Sequence, residues 1–406
     1  MINSSSQAYK KARRQYLKST KSRDSNADWS AFRISEKHFK SKFPPPDFTF
    51  VLDLATLDDA RAAEVAAGVW AGSPDVVPTR QLASSKAYVL PSIPGLVLLP
   101  AFLTPERQRE LVKWSLVEHC RPPNETNLDT HYLLPDQGLW NAFLQERSAL
   151  VHPRPIDVNA EYIKQEPGPR QLVDNIPASR INFESIHSIS KPLLLPSVSA
   201  QPSTSANLLP RLRWANIGWF YHWGTKHYDF SKGKIPVHET VRQVCKEIIK
   251  LIDWNEVFES DTSEWGPSGP DWVDWHDSYE PDAGIVNFYQ TKDTLMAHVD
   301  RSEVCATSPL VSISLGNSAV FLIGGPTRDT KPLPILLRSG DVVIMSGPAC
   351  RRSYHGIPRI LENTLPSYMK EMTDDGWAPF RAYMESTRIN INVRQVFPKG
   401  FTPALA

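Results

Sequence analysis

Residues 284–300 read GIVNFYQTKDTLMAHVD, and residues 388–394 read RININVR. In both, polar and apolar side chains alternate with the two-residue period of a β-strand, so each stretch carries one polar and one apolar face. Asn287 and Tyr289 share a face in the first. In His298-Val299-Asp300 the imidazole and the carboxylate point one way and Val299 the other. In the second stretch Arg388, Asn390, Asn392 and Arg394 stand opposite Ile389, Ile391 and Val393. Working outward, LVSISLG, AVFLIGG, ILLRSGDVVIM, RRSYHGI and VRQV are short strand-like runs with Gly-containing turns. From residue 284 onward this texture predicts an all-β sandwich or barrel.

His355 follows in Ser353-Tyr354-His355-Gly356, after the turn Ser339-Gly340-Asp341 and a strand over 342–345. Two His and one carboxylate held on strands, with the other coordination positions open, make the facial triad of non-haem Fe(II) oxygenases. An H-x-D alone is weak, because a surface His beside a solvated Asp gives the same text. The arginine strand adds weight. If its polar face looks into a closed barrel, burying the guanidinium groups costs on the order of several kcal/mol each unless an anion pairs with them. A dicarboxylate meets that need. The Arg fork suits bidentate carboxylate capture, so Arg388 can grip one end of 2-oxoglutarate while Arg394 assists near the metal. By itself the strand reads more readily as an amphipathic edge with solvated arginines. Asn287 and Tyr289 can hydrogen-bond the same co-substrate, or simply fill turn and core.

The series N-x-Y, H-x-D, Y-H-G-I and R-x-N-x-x-x-R-Q resembles the AlkB family of Fe(II) and 2-oxoglutarate-dependent dioxygenases over 210–398, and loosely over 91–120. The segments NFYQTKDTLMAHVDRSE, SLGNSAVFLIGG, SGDVVIMSG and RWANIG are similar to those of the first eukaryotic AlkB homologue and its fungal relatives. The resemblance implies a mainly β fold with flanking helices (α+β), built as a double-stranded β-helix (jelly roll) core with an N-terminal nucleotide-recognition lid. It implies Fe(II) held by His298, Asp300 and His355, and co-substrate contacts from Asn287, Tyr289, Arg388, Asn390 and Arg394. It further implies 2-oxoglutarate and O2 as co-substrates in the oxidative removal of N-methyl groups from bases of tRNA or DNA, with release of formaldehyde and succinate. Two departures stand out. Ser302, followed by Glu303, occupies the place where the bacterial member has an acidic residue of its base pocket, and Asn392 replaces a Thr. Ser302 and Glu303 are therefore candidate substrate contacts, and the identity of the base stays open.

Upstream, RWANIGWFYHWGTKHY at 213–228 concentrates aromatic rings. It reads as a stacking platform for a base, with Arg213, Trp214, Trp219 and Tyr221 as contacts, or as an apolar cluster beneath a loop. Arg211, Arg213, Lys226, Lys232 and Lys234 are candidate phosphate contacts or ordinary surface charge. Other readings stay open: a dioxygenase of protein side chains or of a carbon-bound methyl in RNA, an inert nucleic-acid-binding module, and a zinc hydrolase using the same triad.

The whole chain has 406 residues, with 45 Lys and Arg against 44 Asp and Glu, so no global field steers a polyanion and any nucleic-acid contact must be local. No stretch is apolar enough to span a membrane. The 35 prolines predict long irregular connections. Cys120, Cys245, Cys305 and Cys350 lie far apart, as in a protein whose thiols stay reduced. Residues 1–23 are basic, with no acid before Asp24, and read as a solvated tail, a nuclear-type patch or a transit-like leader. The expected compartment is nucleus or cytoplasm, with the mitochondrion as the alternative.

Three regions are expected: an extension over 1–90, partly disordered at 1–25; a lid with helical support over 91–235, with a flexible insertion near 196–205; and the dioxygenase core over 236–400. A strand over 95–103, a helix from Thr104-Pro105 to about Cys120 and a second helix over 236–252 are predicted. The segment 253–282 carries ten acids and no Lys or Arg, and is expected to be a solvated loop turned away from nucleic acid, or a surface for a protein partner. The chain is expected to be a monomer.

Overall fold

The computed structural model describes residues 29–401 apart from 69, 84, 164–175, 267–268 and 372–375, together with Gln7, Lys10, Lys11 and Arg14. The rest of the basic 1–25 stretch, with the disorder expected there, lies outside the described residues.

Short strands come first: β1 (Arg80–Gln81), β2 (Tyr88–Val89), β3 (Leu96–Leu99), β4 (Leu150–Val151), β5 (Tyr162–Ile163), β6 (Leu193–Leu194) and β7 (Ser203–Thr204). The long hairpin β8 (Trp214–His222) and β9 (His227–Lys234) follows. Then come β10 (Ala283–Gln290), β11 (Leu295–His298), β12 (Leu310–Gly316), β13 (Ala319–Ile323) and β14 (Leu333–Leu337). The last are β15 (Val342–Met345), β16 (His355–Ile360) and β17 (Thr387–Arg394). Among the described residues, β1-β2-β3-β15-β12-β17-β10-β8-β9 form a nine-stranded sheet and β11-β16-β13-β14 a four-stranded one. These are the two sheets of the jelly roll, in a mainly β molecule with flanking helices. Strands from both sides of residue 235 share the larger sheet, since β8 pairs with β10.

The parity of β17 decides what each face does. Ile389, Ile391 and Val393 are buried with Val244 and Ile248 of the helix Glu239–Leu251 and Leu111 of the helix Pro105–Lys113. The latter begins as expected, with Thr104 capping Arg107 N and Pro in its first turn, and runs on through a wider π-helical turn at Trp114–His119. The opposite, polar face of β17 looks between the sheets, where Leu310, Phe321, Ile335 and Ile357 form a second apolar cluster.

ILLRSGDVVIM is, as its Ser339-Gly340-Asp341 turn predicts, two strands, β14 and β15, and at that turn Gly340 has φ +86° and a Cβ would come within 2.5 Å of Gln108 Nε2. Three expectations change. RRSYHGI is only half strand, because the helix Gly347–Arg351, with Pro in its first turn, occupies its beginning and β16 starts at His355. The 196–205 insertion is tied down. Ser203–Thr204 pair with Leu150–Val151, and Thr204 caps the helix Ser205–Leu208. Nor is 253–282 simply a solvated loop: its interleaved Trp254, Phe258, Trp275 and Tyr279 are core residues. Several of its acids are engaged, Glu256 with Arg80 at 3.1 Å and Glu280 with both Arg242 and Lys246. Counting charges hid the aromatic period between them.

The N-terminal extension wraps the smaller sheet. Leu52 bridges to Ile335 of β14, and two buried ion pairs pin the wrap to the β14–β15 turn, Asp53 with Arg338 at 2.6 Å and Arg61 with Asp341 at 2.7 Å. No helix of the described residues is long and apolar enough to cross a membrane.

Candidate active site

His298 ends β11, His355 begins β16, and the two are register partners with ring centroids 4.4 Å apart. Asp300, just past β11, places Oδ1 3.9 Å from His298 Nε2 and Oδ2 4.0 Å from His355 Nε2. Gly356 allows this approach, because a Cβ there would lie 2.9 Å from Leu295 O and 3.2 Å from Ala297 N and would force β16 off β11.

Each imidazole is oriented by the carbonyl two residues before it: His298 Nδ1 lies 2.9 Å from Met296 O, and His355 Nδ1 3.1 Å from Ser353 O. A carbonyl only accepts, so both rings donate from Nδ1, the orientation that in a neutral imidazole leaves the Nε2 lone pair for the shared centre. Burial, helped by His298, pushes the His355 pKa down to about 4, so that ring is neutral near pH 7.

The strand bearing His298 is an edge of the smaller sheet, and the N-terminal wrap braces it. Ala297 N donates to Glu36 Oε1 at 2.7 Å, and Ala297 O accepts from Arg328 Nη2 at 3.0 Å. Glu36 belongs to the helix Ala31–Lys40, is buried, and is held by Arg33 at 2.8 Å. Nothing in the text around His298 signals a brace 261 residues upstream.

Behind the triad, Arg394 Nη1 stands 3.2 Å from Asp300 Oδ2 and 2.9 Å from Glu303 Oε1, and Nη2 donates to Asn392 Oδ1 at 3.0 Å. Glu303 also accepts from Tyr228 OH at 3.0 Å and from Arg351 Nη2 at 3.3 Å. Burial alone would raise the Asp300 pKa; Arg394, the two imidazoles and Arg351 outweigh it and hold the carboxyl well below the usual range. Burial opposes the charge on Arg394 as well, and Asp300 and Glu303 overcome it. Asp300 is thus anionic, with a buried Oδ2 that makes no hydrogen bond.

Arg388, only 1% exposed, has a different environment. Nη1 donates to Asn317 O at 3.1 Å and Nη2 to Ser314 Oγ at 2.7 Å, both neutral acceptors, and its buried Nε has no partner. Among the described residues no carboxylate forms an ion pair with it, and burial brings its pKa down to about 10. β17 runs between β10 and β12, setting Tyr289 opposite Arg388, Asn287 opposite Asn390 and Ser312 opposite Asn392. These six residues line one cavity with His298 and His355.

The donor set fits a divalent cation and a dicarboxylate. An imidazole nitrogen from each histidine and a carboxylate oxygen of Asp300 lie within 4.8 Å of one another. A buried, uncompensated guanidinium on the same cavity calls for an anion. The family model described as "2OG-Fe(II) oxygenase superfamily" matches residues 185–394, just over half of the chain. The chain belongs to that superfamily. Its members' Fe(II), 2-oxoglutarate and O2 are the cofactor and co-substrates read from the motifs.

Among known proteins it is 29% identical over 388 residues to the DNA N(6)-methyladenine demethylase ALKBH1A of Arabidopsis thaliana, covering 92% of this chain and 97% of that one. It is 28% identical over 379 residues to the tRNA demethylase abh1 of Schizosaccharomyces pombe, covering 91% and 96%. It is 26% identical over 380 residues to the nucleic acid dioxygenase ALKBH1 of Homo sapiens, covering 85% and 79%. The AlkB resemblance read from the motifs stands with these relatives.

Within this superfamily fold the six candidate substrate residues separate. Trp214 and Tyr221 both pack on Trp223, at 5.0 Å between centroids, and the Tyr221 hydroxyl lies among Ser302, Glu303 and Asp300. Trp219 instead joins an apolar cluster with Phe230 and Phe397, which corrects its reading as a stacking contact. Arg213 is turned onto Pro210 O, Leu212 O and Asp293, so it is not a free cation. Ser302 and Glu303 are also corrected. Ser302 Oγ donates to Lys226 O at 2.8 Å, joining the β8–β9 turn to the metal loop, and Glu303, 2% exposed, is the buried counter-ion of Arg394 and Arg351. Sequence reasoning passed over Glu36, Arg328, Tyr228 and Arg351; of these, only Tyr228 lay inside a stretch already marked by its aromatic density.

Proposed function

We propose that this chain is an oxidative demethylase of N-methylated bases in nucleic acid, tRNA or DNA. The observation that carries the co-substrate half of this reading is Arg388, a buried guanidinium that lacks a carboxylate and opens onto the cavity of the two triad imidazoles. The names of the relatives supply the substrate half, since they span DNA and tRNA demethylation.

His298, Asp300 and His355 would hold Fe(II), which with 2-oxoglutarate and O2 supplies an oxidant that inserts one oxygen into a C–H bond while the diacid leaves as succinate and CO2. The chain does the rest. Arg388 takes one carboxylate of the diacid, and Asn287, Tyr289 and Asn390 lie beside it in register to hydrogen-bond it. Arg394 keeps Asp300 ionised at all working pH values. Leu310, Phe321, Val343 and Met345 line the cavity and exclude water. Hydroxylation of an N-methyl group gives N–CH2OH, which loses formaldehyde and returns N–H. A base must be presented singly, from a loop or flipped from a duplex.

The test supplies the purified protein with Fe(II), 2-oxoglutarate and either total tRNA or methylated single-stranded DNA, and quantifies methylated nucleosides and formaldehyde. Loss of one mark with matching formaldehyde, abolished in His298→Ala, is the expected result. Activity confined to peptides would overturn it. In this reading the chain acts as a monomer in the nucleus or cytoplasm, with the mitochondrion as the alternative.

A further inference from the structure

We propose that a second cavity, lined by His131, Tyr132, Arg211, Ser197 and residues 199–203, is a subsite for a backbone phosphodiester of a single-stranded nucleic acid. It shares no lining residue with the metal and co-substrate chamber, holds about 400 Å³, and among the described residues no acid lines it. The proposal deepens the nucleic-acid reading and rests on it.

Three observations converge. The first is the state of the cations. Arg213 is spent on Asp293 at 3.3 Å and Lys232 on Glu125 at 2.7 Å. Arg211 is held without a carboxylate: Nη1 donates to Tyr132 OH at 3.0 Å, and the guanidinium lies 5.4 Å from the Tyr132 ring centre. That clasp fixes the side chain and leaves its other donors and its full charge for the cavity.

The second is a forced tautomer. Ser197 N–H donates to His131 Nδ1 at 3.1 Å, so that nitrogen must offer its lone pair. Burial and the nearby Arg211 lower the His131 pKa and favour the neutral ring. A neutral ring accepting at Nδ1 carries its proton on Nε2 and is a donor there. The third is the wall itself: Ser197 and Ser199 hydroxyls lie 3.1 Å apart, with Ser203 beside them in β7. One cation, one N–H and several hydroxyls match a singly charged phosphodiester with its two free oxygens.

The subsite is anchored to the catalytic sheet. Asn127 bonds Arg211 O at 2.9 Å and takes Arg213 N at 2.7 Å. Arg213 O then accepts from Phe288 N, and Trp214 sits in register with Asn287. A phosphate held at Arg211 is therefore tied through two residues of backbone to the strand pair beside the co-substrate chamber.

The experiment measures binding of a fluorescein-labelled, unmethylated single strand, RNA and DNA in parallel, to the full chain across a KCl series. Arg211→Gln, at an exposed position whose circular dichroism and Tm should match wild type, is expected to weaken binding about 3- to 10-fold and to reduce the log Kd against log salt slope by about 1. Arg211→Glu should weaken it further. Wild-type Kd and slope in both variants, or no binding by the wild type, overturns the subsite. If no methylated substrate is turned over yet Arg211-dependent binding persists, the demethylase reading falls and the subsite stands.

Discussion

The two ends of β17 carry the same side chain, on the same face, at nearly the same burial, in opposite electrical settings. Arg394 is neutralised by the protein, with Asp300 and Glu303 within 3.2 Å. Arg388 meets only a carbonyl and a hydroxyl. The Arg394 end is a finished ion cluster that holds a metal-ligating carboxylate anionic. The Arg388 end is completed electrically by an anion that binds. What a buried arginine does is thus set by its neighbours rather than by its type.

The largest expected effect tests the finished end. Arg394→Met leaves Asp300 and Glu303 as adjacent buried carboxylates, and should destabilise the metal-free protein by about 3–5 kcal/mol in urea unfolding. A loss below about 1 kcal/mol would show that Arg394 does not neutralise Asp300 and Glu303.

Arg388→Met tests the other end and should separate stability from binding. Removing an uncompensated buried charge leaves metal-free stability unchanged or raised, while 2-oxoglutarate affinity, read by calorimetry on Mn(II)-loaded protein, falls about 100-fold, or roughly 3 kcal/mol. Equal destabilisation by the two substitutions would show that Arg388 has a protein counter-charge after all.

The smallest effect sharpens the picture on the histidine side. Glu36→Ala strands the Ala297 N–H and should cost about 1–2 kcal/mol, and should weaken Mn(II) binding several-fold as β11 loosens. Glu36→Gln keeps an acceptor and should recover most of both. Metal affinity equal to wild type in Glu36→Ala would remove the brace from the site.

Much of the chamber is legible in the sequence. The two-residue period places Asn287 with Tyr289 on one face of β10 and Arg388 with Asn390 and Arg394 on one face of β17, because side-chain parity is a local property of a strand, whereas Asp300 meets His298 from just past the end of β11. Glu303 was misread for the converse reason. Its distance from Asp300 in the text suggested a pocket wall, whereas its role comes from Arg351, 48 residues on, and Arg394, 91 residues on. Trp219 was misread because aromatic density does not say which rings reach a surface, and the acidic 253–282 run because charge counts mask buried tryptophans between the charges.

The reacting groups and their faces are local properties of the chain: two imidazoles and a carboxylate at strand ends, and a cationic stripe opposite an aliphatic one. Which arginine is already neutralised, which imidazole strand is braced from the distant N-terminus, and that Arg211 rests on Tyr132 rather than on a described carboxylate follow from long-range packing. Periodicity is carried by neighbours in the chain. Burial and ion pairing depend on distances between residues that the fold alone brings together.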